Sequence, residues 1–202
     1  MILFKQIRWR NLLSTGNNWT EIDFTEAQTS LIVGTNGAGK STILDALTFV
    51  LFNKPFRKIT KPQLVNTVNE KECVVEIEFS TGATDWKIVR GIKPNVFEIY
   101  KNDQMLDKAA ANADQQKWLE ENVLKMNYKS FTQIVILGSA SFVPFMQLST
   151  ANRRDIIEDL LDIKIFSFMS NILREKIRSS NDLIRELTIR KDLVEEKIDM
   201  QK

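Results

Sequence analysis

Residues 34–41 read GTNGAGKS and fit G-x-x-x-x-G-K-[ST], a spacing suited to holding a phosphate chain. Glycines at such intervals let backbone N–H groups turn inward around phosphate oxygens. Lys40 adds a point charge, and the Ser41 hydroxyl offers a hard oxygen to Mg²⁺. The motif acquires meaning only between a strand and a helix. Thr29-Ser30-Leu31-Ile32-Val33 is short, apolar and β-branched, which predicts a buried strand ahead of the loop. Residues 42–52, TILDALTFVLF, have helical length and composition, and their N-terminus would add a favourable dipole. This pattern predicts a nucleoside triphosphate site.

Composition narrows the alternatives. With 202 residues the chain can bury one full α/β core and carry an additional element. Twenty-eight basic against 26 acidic residues leave +2, so any nucleic-acid contact must come from local patches. There is no histidine and only one cysteine, Cys73, which argues against a zinc site and excludes an internal disulfide. The opening MILFKQIRWR turns charged at Lys5 and lacks the apolar core of a signal peptide. No apolar run approaches a membrane span, and the expected location is cytoplasmic, with no membrane partner.

The first half reads as strands at residues 2–9, 20–24, 29–33, 72–80, 85–92 and 96–101. Alternation places Val75, Ile77 and Phe79 on one face of a half-buried strand. Gly82, Pro94-Asn95 and Asn102-Asp103 punctuate these runs as turns, predicting a parallel nucleotide-binding sheet that carries an antiparallel meander. Helices are expected over residues 114–124, from Tyr128 towards Leu137, and after an N-cap at Ser149 or Thr150, with a loop at Gly138-Ser139-Ala140-Ser141.

From about Ser167 to Lys202 there is neither proline nor glycine. Steps of four and three from Leu173 reach Ile177, Ser180, Ile184, Leu187, Lys191, Val194, Ile198 and Gln201, a coiled-coil seam weakened at Ser180 and Lys191. Glu186 and Arg190 are spaced for an i,i+4 pair. A coiled-coil helix needs a partner helix, and none follows in this chain. The expected division is a lobe over residues 1–166 and an ascending coiled-coil helix over residues 167–202.

A triphosphate hydrolase also needs an acidic site, typically four apolar residues and then Asp or Asp-Glu, to hold Mg²⁺ and orient water. Ile134-Val135-Ile136-Leu137 is followed by Gly138-Ser139, and Ile22-Asp23-Phe24 is too short and lies upstream, so neither qualifies. A phosphate loop near residue 35, a glutamine about ninety residues later and a closing coiled coil resemble the N-terminal half of an SMC/SbcC-type ABC ATPase. Lys54-Pro55-Phe56-Arg57, residues 131–138 (FTQIVILG), Pro144-Phe145-Met146 and residues 148–154 (LSTANRR) are similar to the ATPase subunits of phage recombination exonuclease complexes.

The resemblance implies an α/β P-loop NTPase fold, the N-terminal lobe of an ABC-type head with its meander and the start of a coiled coil. It implies ATP and Mg²⁺ as cofactors and makes Gly34, Asn36, Gly37, Ala38, Gly39, Lys40, Ser41 and Thr42 the nucleotide contacts. Lys40 and Gln133 take the catalytic positions, with Ser41 and Gln133 at the metal. Ser14 is a further candidate near the nucleotide, although Leu13 stands where the family often carries a basic residue; Asn66 and Thr67 fall near the adenosine. The implied partners are a C-terminal lobe carrying the signature and Walker B motifs, a second head in a homodimer, a metallophosphoesterase-type nuclease subunit and double-stranded DNA. ATP-driven head dimerisation would gate the nuclease in double-strand-break processing and recombination. A structural, chromosome-organising SMC-like ATPase without a nuclease is the alternative. The residues alone raise one more possibility. Lys54, Arg57, Lys58 and Lys61, with Phe56 among them and no acid, form a basic loop that either touches a DNA backbone or is simply solvated.

Overall fold

The computed structural model describes residues 2–106, 112–137, 144–161 and 163–200; the expected loop at Gly138, Ser139, Ala140 and Ser141 and the seam position Gln201 lie outside them. The chain divides into two units, Met1–Ile156 and Ile157–Lys202.

The first unit is built on strands β1 (Ile2–Arg10), β2 (Thr20–Asp23), β3 (Cys73–Thr81), β4 (Thr84–Ile92), β5 (Val96–Lys101) and β6 (Gln104–Met105). They form one sheet in the order β2-β1-β3-β4-β5-β6, with every neighbouring pair antiparallel. Period-two alternation does the sorting. Val75, Ile77 and Phe79 are fully buried, as their spacing requires. Register then aligns Ile7, Ile77, Ile88 and Ile99 in one row across four strands, each with no exposed surface. At roughly 1.5–3 kcal/mol for each buried aliphatic side chain, that row is a main source of the sheet's stability.

Helix α1 (Thr42–Phe52) lies against the buried face of β3 and β4, with Ala46, Phe49, Val50 and Leu51 fully buried. Its C-terminus would leave carbonyls unpaired inside the protein. Asn53 takes a left-handed cap and donates to the Phe49 carbonyl, while Arg90 Nε donates to Val50 O at 2.9 Å and Gln116 Nε2 to Leu51 O at 3.0 Å. The Arg90 guanidinium is buried 3.8 Å from the centroid of the Phe97 ring and donates to Gln116 Oε1 at 2.6 Å. Burial pulls its pKa down to about 9 against the opposing charge of Glu120.

The helix expected over residues 114–124 is α2 (Asn112–Trp118) continued by a π-helical segment, Leu119–Leu124, that buries Leu119, Val123 and Leu124. Helix α3 (Tyr128–Ile134) is capped by Asn127, whose side chain accepts from Ser130 N, and it stops short of Leu137. The β-branched succession Ile134-Val135-Ile136 is a poor helix continuation. Phe131 fixes α3 to the core beside Phe52 and Phe4, at ring separations of 5.1 and 6.3 Å.

The sequence expectation fails at residues 29–33. No strand forms there, no parallel pairing exists among the described residues, and Leu31, Ile32 and Val33 are 86%, 50% and 82% exposed. A β-branched apolar run prefers extended backbone, but a strand also needs a neighbour to share its hydrogen bonds. The antiparallel meander offers none at this position.

Helix α4 (Thr150–Leu160) starts in the first unit; Ser149 caps it, its hydroxyl accepting from Asn152 N at 3.4 Å. The second unit holds α5 (Lys164–Asp199), 36 residues long and beginning slightly before the expected Ser167. Its seam residues Leu173, Ile177, Ile184, Leu187, Val194 and Ile198 are between 49% and 60% exposed. Along α5 Lys191 and Glu195 close an i,i+4 ion pair at 3.4 Å, and among the described residues the expected Glu186 and Arg190 do not. Among the described residues no helix is long and apolar enough to cross a membrane.

Candidate nucleotide site

The loop at residues 34–41 runs directly into α1, with Ser41 at the N-cap. Two of its glycines take left-handed backbone, Gly37 at φ +88° and Gly39 at φ +90°. That conformation is what the motif's glycines supply, because an L side chain there is strained. The loop is closed internally by Ala38 N to Thr35 O at 3.2 Å and Thr42 N to Gly39 O at 2.9 Å. Lys40 folds over it, its Nζ donating to Gly34 O at 2.7 Å and Thr35 O at 2.8 Å.

A cleft of about 430 Å³ opens beside the loop, lined by Leu13, Ser14, Asn36, Gly37, Gly39, Lys40, Ser41, Thr42 and Arg57. Most of the expected residues therefore meet at one cavity. Gly34 and Ala38 contribute through the loop's own bonding rather than as lining. Lys40, Arg57 and the N-terminus of α1 all make this cleft attractive to an anion.

Leu13 and Ser14 reach the cleft on a short irregular segment whose shape is imposed from behind. Leu13 sits at φ +53° and its N–H donates to Leu64 O at 2.7 Å. Asn66 Nδ2 donates to Leu13 O at 2.9 Å and Thr15 O at 3.1 Å, while Asn66 Oδ1 accepts from Val68 N and Asn69 N. The Asn66 side chain, expected near the adenosine, is thus engaged in holding the Leu13–Thr15 turn. Neither it nor the exposed Thr67 lines the cleft.

Gln133 does not line it either. It lies half-buried on α3, and its Oε1 is buried without a hydrogen-bond partner. Among the side chains that line the cleft, the Ser41 hydroxyl at the start of α1 is a hard oxygen donor that suits Mg²⁺. Among the described residues no cluster of three or more His, Cys, Asp or Glu is placed to hold a metal, so an ion there would depend on phosphate oxygens for most of its ligands.

Arg57 is the cleft residue that motif reasoning missed. The basic loop does not form one patch. Arg57 Nε lies 2.6 Å from Asp45 Oδ2 on α1, Lys54 Nζ sits 5.6 Å from the Tyr128 ring centroid, and Lys61 Nζ sits 5.8 Å from that of Phe49. Burial, followed by the charge of Arg90, pulls the Lys61 pKa down. The signal in the sequence was Asp45 itself, the lone charge in the otherwise apolar run of α1, one helical turn after Ser41.

The chain is 42% identical over 193 residues to Exonuclease subunit 2 of Escherichia phage RB69, covering 96% of this chain and 34% of that protein. To Exonuclease subunit 2 of Enterobacteria phage T4 it is 44% identical over 167 residues, covering 83% and 30%. It therefore spans about a third of the length of these relatives. In fold it is similar to the Smc head domain with an extended coiled coil from Pyrococcus furiosus, with a TM-score of 0.59 at 21% identity over 90% of this chain and 47% of that one. The antiparallel sheet, phosphate loop and helices share the fold of that head domain, and the similarity to phage exonuclease subunits expected from residues 54–57, 131–138, 144–146 and 148–154 is present along the chain. The family model of the AAA domain matches residues 6–202, and the chain belongs to that family.

Proposed function

We propose that this chain is the ATP-binding lobe of an ATPase subunit that gates a partner nuclease during DNA double-strand-break processing and recombination. The observation that carries the nucleotide assignment is the cleft itself: two left-handed glycines, Lys40, Ser41 and Arg57 around one anion-attracting cavity. Gly37 and Gly39 shape the cradle, Lys40 and Arg57 neutralise phosphate charge, and the Ser41 hydroxyl would hold Mg²⁺ with Gln133 as its second protein oxygen. The metal would neutralise charge on the phosphates.

Gln133 stands off the cleft, and no Walker B acid precedes or follows the loop. Hydrolysis on this reading requires a C-terminal lobe and a second head. The exposed apolar run Leu31-Ile32-Val33 supports the same requirement, since it is a strand sequence with no strand beside it. The lobe is assigned to residues 1–166 and the ascending coil to residues 167–202, whose half-exposed seam is suited to a returning helix. Binding of ATP would favour a closed head dimer and hydrolysis would reopen it, with the nuclease and double-stranded DNA as the partners served. Identity of 42–44% to phage exonuclease subunits, against 21% to an Smc head, favours nuclease coupling over the chromosome-organising alternative.

The binding step is tested by calorimetric titration of Mg·ATP into the wild-type chain and the Lys40→Ala variant. Loss of binding in the variant with an unchanged melting temperature is expected; equal affinity would refute the site. The coupling step is tested by adding the C-terminal lobe of a phage relative together with its nuclease subunit. ATP-dependent nuclease activity that Lys40→Ala removes is expected, and activity indifferent to that substitution would refute the gating role.

A further inference from the structure

Asp45 has an unusual position for an acid. It lies in the first turn of α1 with no exposed surface, behind the phosphate loop, where an unpaired carboxylate would be strongly unfavourable. Its two oxygens have different partners. Oδ1 accepts from Phe56 N and Arg57 N, both at 3.1 Å, and so staples the connection after α1 to the helix. Oδ2 takes no aligned hydrogen bond and instead forms an ion pair with Arg57 Nε at 2.6 Å.

Arg57 is thereby held at the inner nitrogen of its guanidinium. Its side chain is 43% exposed and lines the cleft with Lys40 and Ser41, and among the described residues its terminal nitrogens donate no hydrogen bond. A planar guanidinium can satisfy a carboxylate through Nε and still present its outer N–H groups as a fork to phosphate.

We propose that Asp45 is a positioning residue that anchors Arg57 through Nε and so presents the free end of the guanidinium to a phosphate group of the nucleotide in the cleft. This rests on the reading of the cleft as a nucleotide site. The anchor removes rotamer freedom from the arginine before the ligand arrives, and binding then loses less entropy. It also neutralises the buried Asp45 carboxylate, which would otherwise repel an anion in the cleft.

The atom-by-atom division gives a selective test. In Asp45→Asn the amide oxygen can replace Oδ1 and keep both backbone bonds, while an NH₂ replaces Oδ2 and faces Arg57 Nε donor to donor. Titration of Mg·ATP should show Arg57→Ala weakened by about 10-fold or more, as for loss of a charged hydrogen bond. Asp45→Asn should be weakened roughly 3- to 10-fold, within the coupling range of residues in contact. The double variant should bind no more weakly than Arg57→Ala alone. Arg57→Ala, which removes a positive charge, should also lower the salt dependence of binding, which a defect of folding alone would leave unchanged. Arg57→Lys, which leaves the core untouched, should lose affinity like Asp45→Asn, because one ammonium cannot serve carboxylate and phosphate as a fork does. The inference is overturned if Asp45→Asn or Arg57→Lys binds as the wild type does, or if the effect of Asp45→Asn persists in the Arg57→Ala background. Full binding by Arg57→Ala with lost binding by Lys40→Ala would overturn this inference and leave the nucleotide reading standing. Full binding by both would overturn the two together.

Discussion

Gly37→Ala isolates backbone conformation from every other property of the phosphate loop. A Cβ built on Gly37 meets no atom within 4 Å, so the substitution introduces no clash, and its whole effect follows from φ +88°. Holding an L residue in left-handed backbone costs roughly 1–2 kcal/mol. The residues around it are exposed and nothing packs on the new methyl, so the loop can relax in the free protein and must be strained back when phosphate binds. The penalty should therefore fall on affinity and weaken Mg·ATP binding about 5- to 30-fold, the equivalent of 1–2 kcal/mol. The unfolding midpoint should hardly move. Gly34→Ala is the control, because Gly34 is not left-handed and its Cβ would rest 3.4 Å from Ala38 Cβ in ordinary contact. A fluorescent nucleotide titration and a urea melt on the three proteins decide the matter. Wild-type affinity in Gly37→Ala with an unchanged melt would refute the claim that this glycine is present for its conformation.

Two further substitutions probe the core behind the site. Arg90→Met keeps the aliphatic bulk but leaves Val50 O and the Gln116 Oε1 without their donor, and should lower stability by about 2–3 kcal/mol in urea unfolding. An unchanged midpoint would show that the buried charge is no better than an apolar substitute. Cys73 is fully buried, and burial pushes its thiol from 9.0 up to about 12. Between those values the unfolded chain releases the proton while the folded chain keeps it, so this thiol's contribution is complete below pH 9 and lost as pH rises towards 12. Relative to Cys73→Ala, the wild type should lose stability above pH 9 with a slope approaching about 1.4 kcal/mol per pH unit, and the folded thiol should resist alkylation at pH 8. Parallel pH profiles or rapid alkylation would contradict the burial argument.

The features that were legible in the sequence are those whose partners lie close along the chain. The cradle at residues 34–41 is defined by spacing alone, and α1 follows it over the expected residues 42–52. Alternation in Val75, Ile77 and Phe79 was enough to assign the buried face of β3. Arg57 was visible as a charge but not as a cleft residue, because its meaning comes from Asp45, twelve positions away on another element. The engagement of Asn66 was hidden for the same reason. A polar side chain near a site reads as a ligand contact until its hydrogen bonds are counted, and here the Leu13–Thr15 turn and the amides of Val68 and Asn69 take its side chain.

Residues 29–33 and Gln133 expose a second limit, and they share a cause. Strand propensity states what backbone a segment prefers, but the strand exists only if another segment accepts and donates its hydrogen bonds. Leu31, Ile32 and Val33 keep the preference and lack the neighbour. Gln133 keeps a buried acceptor oxygen and lacks a donor or cation, on a helix that Phe131 fixes in place while the cleft stands apart from it. An extended apolar run without a neighbour before the phosphate loop and an unpaired oxygen on α3 are two unsatisfied groups of the same kind. A second lobe that supplied a strand beside residues 29–33 would satisfy the first, and Mg²⁺ held by nucleotide would satisfy the second. Neither satisfaction can be read from propensity, because each depends on atoms that the described residues do not place at the cleft.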